Sequence, residues 1–190
     1  MIHTHENDTP TMQPHERQFV LDQLAASEAQ LLTRFDGLSD SQWHFRESPN
    51  RWSVAENLEH LIAFEAFIRS AVMRTLDAPA EPEKKSDAAG KDPLVLGLAT
   101  SRSTKITARE IVRPTRRWTT SEAMVEEFRE ARAQTIAFAA TTEAPLRDHF
   151  FPHLAFGELD CYQWLTVLAR HTLRHVAQIE QIKADPAYPI

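Results

Sequence analysis

Apolar residues recur along this chain at alternating steps of three and four, the spacing that gathers them on one face of an α-helix. Four long stretches carry the pattern. The first runs from Pro14 to about Phe35, with Leu21, Leu24, Leu31 and Phe35 on its apolar face. Proline suits a first helical turn, and Gly37 stands where a helix stop is expected. The second follows Ser53-Val-Ala-Glu56, whose residue types make a capping box, and runs to about Leu76. Its inward stripe includes Leu58, Leu61, Phe64, Ile68 and Val72. The third opens on Thr119-Thr-Ser-Glu122, read as a second capping box, turns Met124, Phe128, Ala131, Thr135 and Phe138 inward, and ends before Pro145. The charged residues between them, Arg132 included, are assigned to its solvated side. The fourth follows Asp160, a suitable N-cap, and carries Trp164, Leu168, His171, His175, Gln178 and Ile182 on one stripe.

The segments between these helices are polar or irregular. Residues 1–12 lack periodicity and read as a disordered tail, residues 186–190 as a C-terminal tail, and 13–185 as the folded domain. The connection 38–52 bears Trp43 and Trp52 and reads as a lid on the core. The longest connection joins the second and third helices. Ala78–Asp92, rich in Pro, Lys, Glu and Asp, reads as a mobile loop, and Pro93–Leu98 as a short buried turn of helix. The basic stretch Arg102–Arg117 reads as a solvated crossover, against a sharper reading as an anion-facing lid. Asp148–Asp160 reads as an aromatic loop with His149 and His153. Four amphipathic helices, with the longest connection in the middle, predict an all-α four-helix bundle.

Composition narrows the function classes. A chain of 190 residues, 42% hydrophobic and 25% charged, is ordinary for one globular domain. Four glycines against 11 prolines argue against an all-β or glycine-rich nucleotide-binding design. A net charge of −6 speaks against a general nucleic-acid or anionic-membrane role. Cys161, the single cysteine, cannot form an internal disulfide, and no stretch looks like a membrane span or signal, so a cytoplasmic location is expected.

The chemistry gathers on Arg170-His-Thr-Leu-Arg-His-Val-Ala-Gln178. His171 and His175 stand one helical turn apart on the inward stripe. A lone inward histidine is ordinarily a satisfied core residue, but two need partners for four ring nitrogens. A divalent metal satisfies two at once. Thr172 follows the first histidine where a metalloprotease helix has glutamate, so no built-in base accompanies the pair. His60 lies on the inward face of the second helix and supplies a third imidazole, while Glu56 is assigned to its cap and Glu59 to solvent. Three neutral imidazoles leave a coordination position open, as in catalytic zinc sites, where a water or a thiolate is activated.

Trp52-Ser-Val-Ala-Glu-Asn-Leu-Glu-His60-Leu resembles the second-helix motif of the DinB-like superfamily. His153-Leu-Ala-Phe-Gly157, with Gln163-Trp-Leu, His171-Thr-Leu-Arg-His175 and Gln178-Ile179, resembles its fourth-helix motif. The resemblance covers the chain beyond the N-terminal tail. It implies an up-up-down-down bundle with a long crossover between helices two and three. It also implies a three-histidine site for zinc or nickel, mapping onto His60, His171 and His175. Where the family often has proline after the loop histidine, this chain has Leu154, which leaves His153 as a residue shaping the loop. Similar proteins include S-transferases using a low-molecular-weight thiol, a mycothiol-dependent isomerase and metal-dependent hydrolases, and dimers are frequent. The resemblance thus implies a small-molecule substrate, with a low-molecular-weight thiol as candidate cosubstrate, and a homodimer. The competing readings are a non-catalytic metal-binding stress or interaction protein, and a bundle with three buried histidines and no metal.

Overall fold

A computed structural model describes residues 12–99, 108–118 and 120–190. Its helices are α1 (Pro14–Leu32), α2 (Asp40–His44), α3 (Val54–Leu76), α4 (Lys85–Ala89), α5 (Asp92–Leu96), α6 (Ser121–Thr141) and α7 (Cys161–Lys183). The long helices α1, α3, α6 and α7 form the four-helix bundle, in which α1 and α3 each pack against both α6 and α7. Helices that follow one another, α1 with α3 and α6 with α7, therefore sit across a diagonal.

The contacts fix the direction of each helix. The guanidinium of Arg17, at the start of α1, donates to the carbonyls of Ala139 and Thr142 at the end of α6. Lys183 at the end of α7 donates to the carbonyl of Arg34 just past α1. Asn57 near the start of α3 meets His175 towards the end of α7. The order is up-down-down-up. This corrects the up-up-down-down order expected from the resemblance, while the crossover between the second and third bundle helices stands. The correction has a geometric reason. Helices α3 and α6 run the same way, so the chain must return the length of the bundle between them, and residues 77–120 make that return. The other two connections join antiparallel helices and stay shorter.

Two apolar clusters fill the bundle. One holds Val20, Leu24, Ile68, Val72, Leu165 and Leu168 at one end. The other holds Leu31, Leu58, Leu61, Phe128, Val176 and Ile179 at the other. Between them lies a buried polar layer. Arg132, fully buried on α6, forms a two-pronged ion pair with Glu65 of α3 at 3.0 and 2.9 Å. It also donates to the Leu24 carbonyl and Ser27 of α1 and to Thr172 of α7. One guanidinium thus joins all four helices. The solvated position expected for Arg132 is corrected here, since its phase beside Phe128 and Thr135 turns it inward.

Local sequence accounts for the ends. Ser53 accepts from the Glu56 amide at 3.2 Å, and Glu56 accepts from the Ser53 amide at 2.9 Å, the expected capping box. Helix α7 has another, Asp160 with Gln163. At α6 the cap is Thr120, whose hydroxyl accepts from Ala123, and Thr119 lies outside the described residues. Gly37 adopts φ +69°, the left-handed conformation glycine tolerates best, in the turn that follows α1.

Other expectations change. Residues 78–92, expected as a mobile loop, hold a 3-10 turn (Pro82–Lys84) and α4, because Gln163 donates to the Ala88 carbonyl at 2.6 Å and Lys91 to the Glu158 carbonyl at 2.5 Å. The aromatic loop is an antiparallel hairpin, β1 (Phe150–His153) and β2 (Gly157–Asp160), with Phe150 opposite Asp160 and His153 opposite Gly157. Apart from Met12, which is buried, the N-terminal tail lies outside the described residues, as does 100–107 of the crossover. At the other end Tyr188 packs edge-on against Phe45. Among the described residues no helix is long and apolar enough to cross a membrane.

Candidate metal centre

The second turn of α3 and the middle of α7 bring His60, His171 and His175 together. Their nearest ring nitrogens lie within 4.8 Å of one another. The Nε2 atoms of His60 and His171 are 2.9 Å apart. Imidazole nitrogens on one ion at about 2.0–2.1 Å stand roughly 2.9 Å apart at a right angle and roughly 3.3 Å apart in a tetrahedron. Without an ion this contact is a hydrogen bond between the two imidazoles, and the same spacing suits a shared small divalent cation.

Two outer partners orient the rings. The Nδ1–H of His60 donates to the carbonyl of Val112 at 2.7 Å, and a carbonyl can only accept, so Nε2 keeps its lone pair. The Nδ1–H of His175 donates to Oδ1 of Asn57 at 2.7 Å. The orientation of Asn57 is fixed in turn, because its Nδ2 donates to the Ser53 carbonyl at 2.8 Å. The capping turn of α3 thus sets the tautomer of a histidine on α7. Sequence reading gave Asn57 no role, and the available signal was an amide side chain one turn before His60 on the same inward face. Trp52 closes one side, with its ring 4.9 Å from His60 and nearly parallel to His175, and Phe64 lies 4.2 Å from His171.

All three imidazoles are held neutral. Burial lowers the pKa of His60, partly offset by the Val112 carbonyl. Burial lowers those of His171 and His175 much further, with the mutual repulsion of the imidazoles and the Arg174 charge adding. Neutral rings are the state a cation requires.

The triad opens into a cavity of about 1110 Å³. Trp52, Phe64, Phe151 and Trp164 give it an aromatic wall, and Arg109, Arg113 and Arg174 a cationic rim. The described end of the basic crossover therefore lines the pocket, which corrects the reading of that stretch as merely solvated. Glu59, expected in solvent, is buried beneath it. The crossover supplies the cover, through backbone amides and a hydroxyl of residues 115–117 that donate to the Glu59 carboxylate.

His153 stays outside the triad but lines the same cavity. Its ring stacks on Phe156 at 4.6 Å, and its Nδ1 accepts from the Ala155 amide at 3.1 Å. Burial, with the Arg109 charge adding, pushes its pKa down to about 4. The sign of the pH dependence follows. Below the ordinary histidine pKa of about 6.5 the unfolded chain gains protons that the folded chain refuses, so stability falls with pH. Urea unfolding of metal-free protein is expected to show full stability above pH 6.5 and a steady loss from there towards pH 4. His153→Gln is expected to make that loss shallower, and an unchanged slope would show that His153 does not contribute to it.

Comparison with known proteins bears on the family and the fold. The sequence profile of the DinB superfamily matches residues 23–179. The Bacillus subtilis (strain 168) protein YuaE, described as uncharacterized, is 29% identical over 161 residues, covering 83% of this chain and 94% of its own. Among solved structures, YfiT from Bacillus subtilis is similar with a TM-score of 0.59 at 12% identity, over 95% of this chain and 93% of its own. YfiT is described as a probable metal-dependent hydrolase with an unusual four-helix bundle topology.

Proposed function

The chain belongs to the DinB superfamily, and on that premise we propose that it is a divalent-metal-dependent enzyme acting on small anionic molecules. The observation that carries the reading is the convergence of three neutral imidazole Nε2 donors, from His60, His171 and His175, on the inner end of a large cavity. Zinc and nickel both suit imidazole donors. An ion held there supplies Lewis acidity, lowering the pKa of a thiol or water that enters beside it.

The chain's own residues favour thiol-dependent group transfer, with hydrolysis as the alternative reaction of the same site. No carboxylate on the described cavity wall is placed to act as a base. Glu47 binds Arg51 at 3.0 Å, and Glu56 is engaged by Arg46 and by the Ser53 amide. A nucleophile that is acidic enough to ionise beside the ion needs no such base. Arg109, Arg113 and Arg174 give an otherwise acidic protein a cationic entrance, which attracts an anionic cosubstrate. The aromatic wall of Trp52, Phe64, Phe151 and Trp164 accepts an apolar electrophile.

The test is turnover by ion-loaded protein against chelator-stripped protein. One assay couples a low-molecular-weight thiol to a chromogenic electrophile, and the other hydrolyses a nitrophenyl ester. Activity that disappears on stripping and returns with zinc or nickel supports the proposal. A loaded protein inactive in both assays would favour the non-catalytic metal-binding reading.

A further inference from the structure

We infer that Glu59 is a positioning residue that latches the crossover onto α3 and so places the Val112 carbonyl on His60. The inference rests on the metal-site reading and concerns a residue outside the triad. The Glu59 carboxylate is 2% exposed and accepts four hydrogen bonds from three consecutive residues. Its Oε1 accepts from the Thr115 amide at 2.7 Å, the Thr115 hydroxyl at 3.0 Å and the Arg117 amide at 3.3 Å. Its Oε2 accepts from the Arg116 amide at 2.9 Å. Consecutive amides converging on an anion make a nest, and a residue in the left-handed region is the usual way to build one. Here Arg116 has φ +59° and is the one non-glycine residue with positive φ among those described. A left-handed conformation is disfavoured for a residue with a side chain and persists where its surroundings over-determine it. The carboxylate is what determines it.

The consequence for the site is direct. Val112 lies three residues before Thr115, and its carbonyl accepts from Nδ1 of His60, the residue next to Glu59 on α3. The crossover is therefore clamped across two adjacent side chains of one helical turn. The clamp directs the His60 Nε2 lone pair at the triad and holds Arg109 and Arg113 over the cavity. Glutamine cannot replace glutamate here, because its amide nitrogen would face the Arg116 N–H in place of Oε2.

The test compares wild type with Glu59→Gln in the full chain. Zinc affinity, measured by competition with a chromophoric chelator, is expected to fall about 10–100-fold, the range for loss of an outer partner of a ligand histidine. Trypsin cleavage after Arg117 is expected to accelerate at least about tenfold while far-UV helicity is retained. In metal-free protein the ¹⁵N signals of His60 are expected to leave the Nδ1–H tautomer. Two crossover variants guard against a folding defect, since they lie outside the bundle helices. Arg116→Pro, which has no N–H and cannot reach positive φ, should behave like Glu59→Gln. Arg116→Gly keeps the N–H and relieves the strain, and should bind zinc as wild type does. Faster cleavage with unchanged zinc affinity and His60 tautomer would overturn the inference, because the contact would then be structural only. If wild type takes up no zinc, the metal reading fails while the tautomer and cleavage still decide the latch.

Discussion

Arg132→Met is expected to lower the stability of the protein by about 3–5 kcal/mol, the usual effect of removing one partner of a buried ion pair. For a chain of this size each kcal/mol shifts Tm by roughly 2–4 °C, so thermal unfolding should move down by about 6–20 °C. The effect comes from what remains. Glu65 is 2% exposed and receives both prongs of the guanidinium, so the variant strands a carboxylate in the core. The other three partners are not stranded. The Leu24 carbonyl keeps the Ser27 hydroxyl as donor, and the Thr172 hydroxyl keeps the Leu168 carbonyl as acceptor. The double variant Glu65→Leu/Arg132→Met is therefore expected to recover most of the loss, or to exceed wild type, since well-packed apolar replacements of buried ion pairs are often neutral or stabilising. Urea unfolding of the four proteins gives the cycle. A coupling under about 1 kcal/mol would show that the pair is not the origin of the effect.

The same pair shows what the sequence could and could not reveal. The stripes of α1, α3, α6 and α7 made the bundle legible, because amphipathic period and capping residues act locally. The triad was legible for the same reason, since His171 and His175 share a turn and His60 shares the phase of its own helix. Glu65 and Arg132 sat on inward phases of two helices with opposite charge, and that was a usable signal. Reading charge as solvated hid it. Glu59 was hidden for a different reason. Its partners lie more than 50 residues away on an irregular segment, and no local pattern says where such a segment will land. The hairpin at 150–160 escaped because Pro152 and the aromatic run do not alternate as an exposed strand does. The direction of the helices was taken from the resemblance, whereas the long middle connection is the one that parallel α3 and α6 need.

His175→Ala and His60→Ala are each expected to take the protein from about one bound zinc or nickel per chain to almost none, measured by elemental analysis after gel filtration. Each removes one of three donors from a site whose open geometry leaves no spare protein ligand among the described residues. The sharper expectation concerns stability. In the metal-free protein His60 and His171 face each other with Nε2 atoms 2.9 Å apart, and His175 is buried beside them. With the Nδ1–H of His60 held by the Val112 carbonyl, that spacing is a hydrogen bond from the Nε2–H of His171 to the Nε2 lone pair of His60, which a bound cation would replace. His171→Leu, which fills similar volume without a ring nitrogen, is therefore expected to abolish ion binding while lowering the stability of metal-free protein by only about 1 kcal/mol at neutral pH, the usual net worth of one hydrogen bond. That deficit should shrink as pH falls below about 6.5, because the burial-lowered pKa of His171 makes the folded wild type refuse protons that its unfolded chain accepts. Adding zinc should widen the gap, stabilising wild type by mass action and leaving His171→Leu unmoved. A deficit that does not shrink as pH falls would mean that His171 does not resist protonation in the fold, and a gap that zinc does not widen would count against the metal reading.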